Sequence, residues 1–181
     1  MTDRSDGPDQ ADRADRSAEF ARLLAENNRY TEAFDRSALT ASPLSGLVIV
    51  ACMDARLDVE EALGLRTGDA HIIRNAGGLV TDDVIRSLVV SMELLGTNEI
   101  VVIEHTKCGL HGADEARIRE RVAANSGVPI DDIPMAFGAF SDLTENVRGQ
   151  VAILRTHPYL RRVPVHGLVF DVATGRLIEV A

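Results

Sequence analysis

The feature that most constrains this chain is a series of short apolar runs that do not alternate. Leu47–Ala51 reads LVIVA and Glu99–His105 reads EIVVIEH. A strand with one face in water alternates apolar and polar side chains, so a run apolar at consecutive positions is buried on both faces. Burial on both faces demands layers above and below the sheet, and parallel strands obtain them from helical crossovers. The segments between the runs have that character: Leu57–Leu65, Thr81–Gly96 and Ser141–Leu160 all carry helical patterns. In the second of these, Val84, Ile85, Leu88, Val89, Met92 and Leu95 fall on one face. Thr81 or Asp82 suits its N-cap, Gly96 its end, and Asp82 and Asp83 the positive end of its dipole. Ala70–Gly78 reads as another strand running into a glycine turn, and Val165–Val180 as two strands around a turn at Ala173–Gly175. Gly112–Phe140 is expected to be helical up to Asn125 and looped beyond. The fold expected is α/β: a central, mostly parallel β-sheet flanked by helices, with right-handed crossovers and a C-terminal antiparallel edge hairpin.

Ahead of the sheet, residues 1–12 are polar and read as a disordered acidic tail. Residues 13–181 read as a single domain, with 13–35 forming an N-terminal helical arm whose Phe20, Leu23 and Leu24 share a face. The arm either packs on its own domain or lies on a second subunit. With 181 residues, 45% of them apolar, the chain is long enough for one real core. A net charge of −9 argues against a nucleic-acid or anionic-membrane partner. No run of about 20 apolar residues predicts a membrane span. The N-terminus lacks the apolar core of a signal peptide, so a cytoplasmic protein is expected. The chain's two cysteines, Cys52 and Cys108, are too few for a disulfide framework and read as reduced thiols.

In open α/β sheets, ligands bind beyond the carboxyl ends of the strands. The first strand ends in ACMDAR (Cys52, Asp54, Arg56), the second in NAGG (Asn75–Gly78), the third in EHTKCG (His105, Cys108). Parallel strands bring these ends to one edge although they are far apart in sequence. Two thiols and an imidazole supply three of the four ligands that zinc prefers, leaving a place for water. The metal lowers the pKa of such a water to about 7. Asp54 is placed to accept a hydrogen bond from it, and Arg56 to hold Asp54 ionised and aimed through a bidentate pair. Taken singly, each motif has a plainer explanation: H-x-x-C as a capped strand end, C-x-D-x-R as a buried thiol beside a surface ion pair. Their joint placement favours the metal.

CMDAR (Cys52–Arg56), RNAGG (Arg74–Gly78) and HTKCG (His105–Gly109), in this order and spacing, resemble the β-class carbonic anhydrases, densely from Leu47 to Gly112. The resemblance implies a Zn²⁺ enzyme interconverting CO₂ and bicarbonate through a zinc-bound hydroxide. It implies Cys52, His105 and Cys108 as metal ligands, and Asp54 and Arg56 as the catalytic dyad. It further implies a homodimer or dimer of dimers, with the arm reaching over the partner. Relatives of that family hydrolyse CS₂ or COS with the same zinc set, which is one alternative function. A non-enzymatic zinc-binding regulatory protein and a Cys52–Cys108 dithiol redox protein are others.

Around this centre, Gly77 and Gly78 are candidate substrate-binding residues, because backbone N–H groups there can face an anion. The same glycines also suit a plain tight turn. His111 is a candidate proton shuttle or a surface histidine. His71 and His166 read as strand residues, and Lys107 as a loop charge. Phe20, Tyr30 and Phe34 are candidate pocket aromatics. Ala55 stands where many members carry Ser, and Lys107 where several carry Asp.

Overall fold

A computed structural model describes residues 10–181, with side chains from residue 18; the tail expected over residues 1–12 lies, through residue 9, outside the described residues. The chain divides into two units, one up to Leu39 and one from Thr40 to Ala181. The first is built on α1 (Gln10–Glu32), which begins inside the expected tail. Its apolar residues are outward-facing: Phe20, Leu23 and Leu24 are 64%, 51% and 54% exposed. Ion pairs Glu19–Arg22 and Glu26–Arg29 lie along it at i,i+3 spacing, exposed to solvent and so screened.

The second unit alternates strands and helices: β1 (Leu47–Cys52), α2 (Val59–Leu63), β2 (Ala70–Asn75), α3 (Asp82–Glu93), β3 (Glu99–His105), α4 (Glu115–Ser126), α5 (Leu143–Thr156), β4 (Val165–Phe170) and β5 (Leu177–Glu179). The described residues form a five-stranded sheet ordered β2-β1-β3-β4-β5. Its first four strands are parallel, and β5 runs antiparallel to β4. The unalternating runs are explained by two separate cores. Val48, Val50, Ile100 and Val102 point to one side, against α3 and α5. Ile49, Ala51 and Ile103 point to the other, against Leu57, Val59 and Phe170. β2 is only partly buried because it is the sheet's edge.

Helix ends follow their caps. Thr81 Oγ1 accepts from Val84 N–H as expected, and α3 ends at Glu93 with Gly96 in the left-handed region (φ 78°) beyond it. α5 is shorter than its pattern, because the Asp142 carboxylate caps it from Glu145 N–H and Pro158 follows its end. In the stretch Gly112–Phe140, α4 stops at Gly127, a left-handed C-cap.

The strand register positions the site. Ala51 pairs with Ile103, Cys52 with Asn75, and His105 with Phe170, so all four parallel strands end at one edge. Between β2 and α3, Asn75 closes the glycine turn by donating to Leu79 O and accepting from Leu79 N–H. Gly78 is required there on two counts. Its φ is +70°, and a Cβ would lie 2.9 Å from Cys52 N and 3.0 Å from Ile103 O. Those neighbours are backbone, so a side chain would drive β1 and β3 apart at the ends that carry the site.

Candidate metal centre

Cys52 ends β1, His105 ends β3, and Cys108 follows after a tight turn. Their ligand atoms all lie within 4.8 Å of one another, and all three residues are buried. Both thiols are free. His105 Nδ1 donates to Thr106 O at 2.9 Å, which fixes the tautomer and leaves Nε2 bare. Nε2 is the buried side-chain nitrogen or oxygen that, among the described residues, has no hydrogen-bond partner. Native proteins rarely leave such an atom unsatisfied. An imidazole nitrogen facing two sulfurs is the donor set zinc prefers, so these residues fit the metal.

Electrostatics agree. Burial acts to raise the Cys52 thiol, but His105 opposite it and the N–H groups of Asp54 and Gly77 outweigh burial and bring it to about 7. The facing Cys52 in turn raises His105. Burial raises Cys108, so a metal that binds it as thiolate has to displace a proton there.

Beside the three ligands stands an ion pair. Asp54 Oδ1 accepts from Arg56 Nε and from Arg56 N–H, both at 2.9 Å, and Oδ2 accepts from Nη2 at 2.8 Å. Arg56 holds the Asp54 carboxyl well below the usual carboxylate range. Asp54 Oδ2 lies 3.6 Å from His105 Nε2, next to the ligand triangle. Arg56 Nη2 also donates to Lys107 O at 3.0 Å, joining the first motif to the third. Lys107 is, among the described residues, the non-glycine residue with a left-handed backbone (φ 56°). What the site uses of Lys107 is thus its carbonyl.

The other residues singled out in the sequence are placed as follows. Gly77 is buried in the turn between β2 and α3. His111 stacks on Phe140 at 5.4 Å and donates to Ser141 O. His71 bridges Ser91 and Ala41 O, and His166 contacts Glu99. Tyr30 and Phe34 pack on each other 5.7 Å apart within the first unit.

Several supporting residues were not singled out. Arg74 donates to Cys52 O at 2.9 Å and to Asp54 O at 2.7 Å, clamping the loop that carries both. Glu104, 1% exposed, receives Asn146 Nδ2 on both oxygens. Burial raises its carboxyl to about 7. Gln150, one turn along α5, accepts from Val80 N–H at 2.7 Å. Of these, Glu104 carried a sequence signal, a carboxylate inside an apolar strand; Arg74 lay in a quoted motif, and the helix residues had none. A cleft of about 600 Å³ runs past Arg74, Asn75 and Gln150, with Leu79, Phe137 and Ile153 as apolar walls. No helix among the described residues is long and apolar enough to cross a membrane.

Comparison with known proteins agrees with this geometry. The carbonic anhydrase family profile matches residues 47–177. Beta-carbonic anhydrase 1 of Mycobacterium tuberculosis is 42% identical over 158 residues, spanning 87% of this chain and 94% of that protein. A carbon disulfide hydrolase of Acidithiobacillus thiooxidans is 38% identical over 150 residues, spanning 72% of this chain and 75% of that protein. The crystal structure of a carbonic anhydrase from Streptococcus mutans matches with a TM-score of 0.84 at 43% identity, over 90% of this chain and 97% of that one. With the same sheet, the three motifs at one edge and relatives of this similarity, the chain belongs to the carbonic anhydrase family, in its β class.

Proposed function

We propose that this protein catalyses the reversible hydration of CO₂ to bicarbonate and a proton, using zinc held by Cys52, His105 and Cys108. The observation that carries this is the bare His105 Nε2 between two buried thiols, with an arginine-locked carboxylate beside them. When bound, zinc makes water a nucleophile at neutral pH. Asp54, ionised and acceptor-only, takes a hydrogen bond from the attacking oxygen and aims it at the carbon of CO₂. Arg56 occupies both Asp54 oxygens and so keeps the carboxylate turned aside from the ligand triangle. Arg74 holds the backbone carbonyls of Cys52 and Asp54, so ligand and carboxylate move as one piece. The substrate-side role proposed for Gly77 and Gly78 is to let the backbone beside Cys52 approach an anion closely.

The test is stopped-flow CO₂ hydration across pH on protein of measured zinc content. Activity that rises with pH is expected; none at alkaline pH in fully loaded protein overturns the proposal. The carbon disulfide hydrolase relatives make CS₂ the control substrate. Sulfide release without CO₂ hydration moves the assignment to that chemistry, and inertness to both to a non-enzymatic zinc protein.

The active form proposed is a homodimer or dimer of dimers in which α1 of each protomer covers its partner. Support comes from the exposed Phe20, Leu23 and Leu24. Burying one such side chain contributes roughly 1.5–3 kcal/mol. Sedimentation of a Leu23→Asp, Leu24→Asp double variant is expected to give a smaller assembly than the parent; an unchanged mass contradicts this role for α1.

A further inference from the structure

His105 is the last residue of β3, and the residue after it is gripped by the β4–β5 turn. Thr106 N–H donates to Phe170 O at 2.9 Å, and its hydroxyl donates to Asp171 Oδ1 at 3.2 Å and accepts from Val172 N–H at 3.1 Å. Asp171 is itself fixed. Its Oδ1 accepts from Ala173 N–H at 2.9 Å and its Oδ2 from the Thr174 hydroxyl at 3.0 Å.

The carbonyl of this same Thr106 accepts from His105 Nδ1. That bond selects the tautomer that presents Nε2 to the two sulfurs. Thr106 is also the last residue before Lys107, whose left-handed backbone turns the chain and delivers Cys108. One peptide unit therefore governs the aim of one ligand and the approach of another. To end a hairpin, Asp171 needs its bonds to Ala173 and Thr174. It does not need the hydroxyl of Thr106, which lies 65 residues away in sequence.

We propose that Asp171 and Thr106 are positioning residues for the metal, through which the β4–β5 turn sets the tautomer of His105 and the turn to Cys108. The inference rests on the zinc assignment made above and names how this chain holds its ligand set in shape. Groups that orient metal ligands from behind typically account for tenfold to a hundredfold in affinity.

Thr106→Val keeps the shape of the side chain and deletes the hydroxyl, whereas Thr106→Ser keeps the hydroxyl. Zinc affinity is measured by chelator competition well below the melting temperature, alongside the visible spectrum of the cobalt(II)-substituted protein and the melting temperature of metal-free protein. Thr106→Val is expected to bind zinc at least about tenfold more weakly and to shift the cobalt bands, and Thr106→Ser to match the parent in both. A Thr106→Val variant that melts lower but has parental affinity and spectrum overturns the proposal. Should Thr106→Val not fold, Asp171→Ala against Asp171→Asn asks the same question, because asparagine retains an acceptor for Thr106; equal affinities in that pair also overturn it. Failure of the parent protein to bind zinc at all is a different result, and it overturns the metal assignment instead.

Discussion

Replacement of Cys108 by alanine is expected to empty the site, with zinc falling from about one ion per chain to near zero. Three protein ligands are the usual minimum for a catalytic zinc, and Cys52 and His105 alone do not close around an ion. The fold is expected to survive, because Cys108 sits in a turn beyond β3 and outside both cores. Cys108→Ser, which keeps a small polar group, is expected to lose the metal as well, since the thiolate is what zinc prefers. Metal analysis after gel filtration, with circular dichroism as the check on folding, reads the outcome. Retention of one zinc per chain in either variant would show that Cys108 is not a ligand. In the intact site the same thiolates make binding proton-linked. Ligation requires deprotonated sulfur, so acidification releases metal, and Cys108, raised by burial, is the group most exposed to that competition.

The second large effect falls on Arg56. Arg56→Ala is expected to leave zinc in place and to lower kcat/KM about a hundredfold, the scale on which a misplaced catalytic group costs rate. The cause is geometry rather than ionisation. Even freed from Arg56, a carboxylate has an ordinary pKa of about 4 and stays charged at neutral pH. What is lost is the lock. Asp54 Oδ2 already lies 3.6 Å from His105 Nε2. Without two bonds holding it aside, it is free to swing onto the metal and take the place water needs. Arg56→Lys is expected to recover little, because an ammonium cannot hold both oxygens in one plane or reach Lys107 O at the same time. Turnover equal to the parent in Arg56→Ala would remove the ion pair from the mechanism.

Much of this architecture was legible in the sequence, for identifiable reasons. Val48–Ala51 is buried at every position because its neighbours alternate between two cores, and that pattern has few other physical explanations. Parallel strands then brought Cys52, His105 and Cys108 together by topology alone. Asp54 and Arg56 pair across two residues, so their spacing sufficed. The bonds that escaped are those made by tertiary proximity. Asn146 and Gln150 look like ordinary exposed-face helix residues until α5 lies across the sheet, where they meet Glu104 and Val80 N–H. Lys107 misdirects for another reason: its side chain attracts notice, whereas the site uses its carbonyl and its backbone angle. β2 was legible as a strand, but its apolar Ile72 and Ile73 do not reveal that it forms the sheet edge.

The distribution of the ligands over β1 and the end of β3 bears on the order of events as the chain folds. β1 and β3 are neighbours in the sheet, but β2 and α3 lie between them in sequence. A nascent chain that has reached only β2 owns Cys52 but neither His105 nor Cys108, the two residues proposed to share a metal with it. Pairing β1 to β3 in parallel is a non-local contact that follows a crossover, the slow kind of step in such topologies. The proposed ligand set is complete only once that crossover has closed, so the metal is not expected to seed the sheet. Interactions that form after the rate-limiting step slow unfolding and leave the folding rate untouched. Zinc held by Cys52, His105 and Cys108 is therefore expected to act as a latch on a finished structure, lengthening its lifetime rather than hastening its assembly.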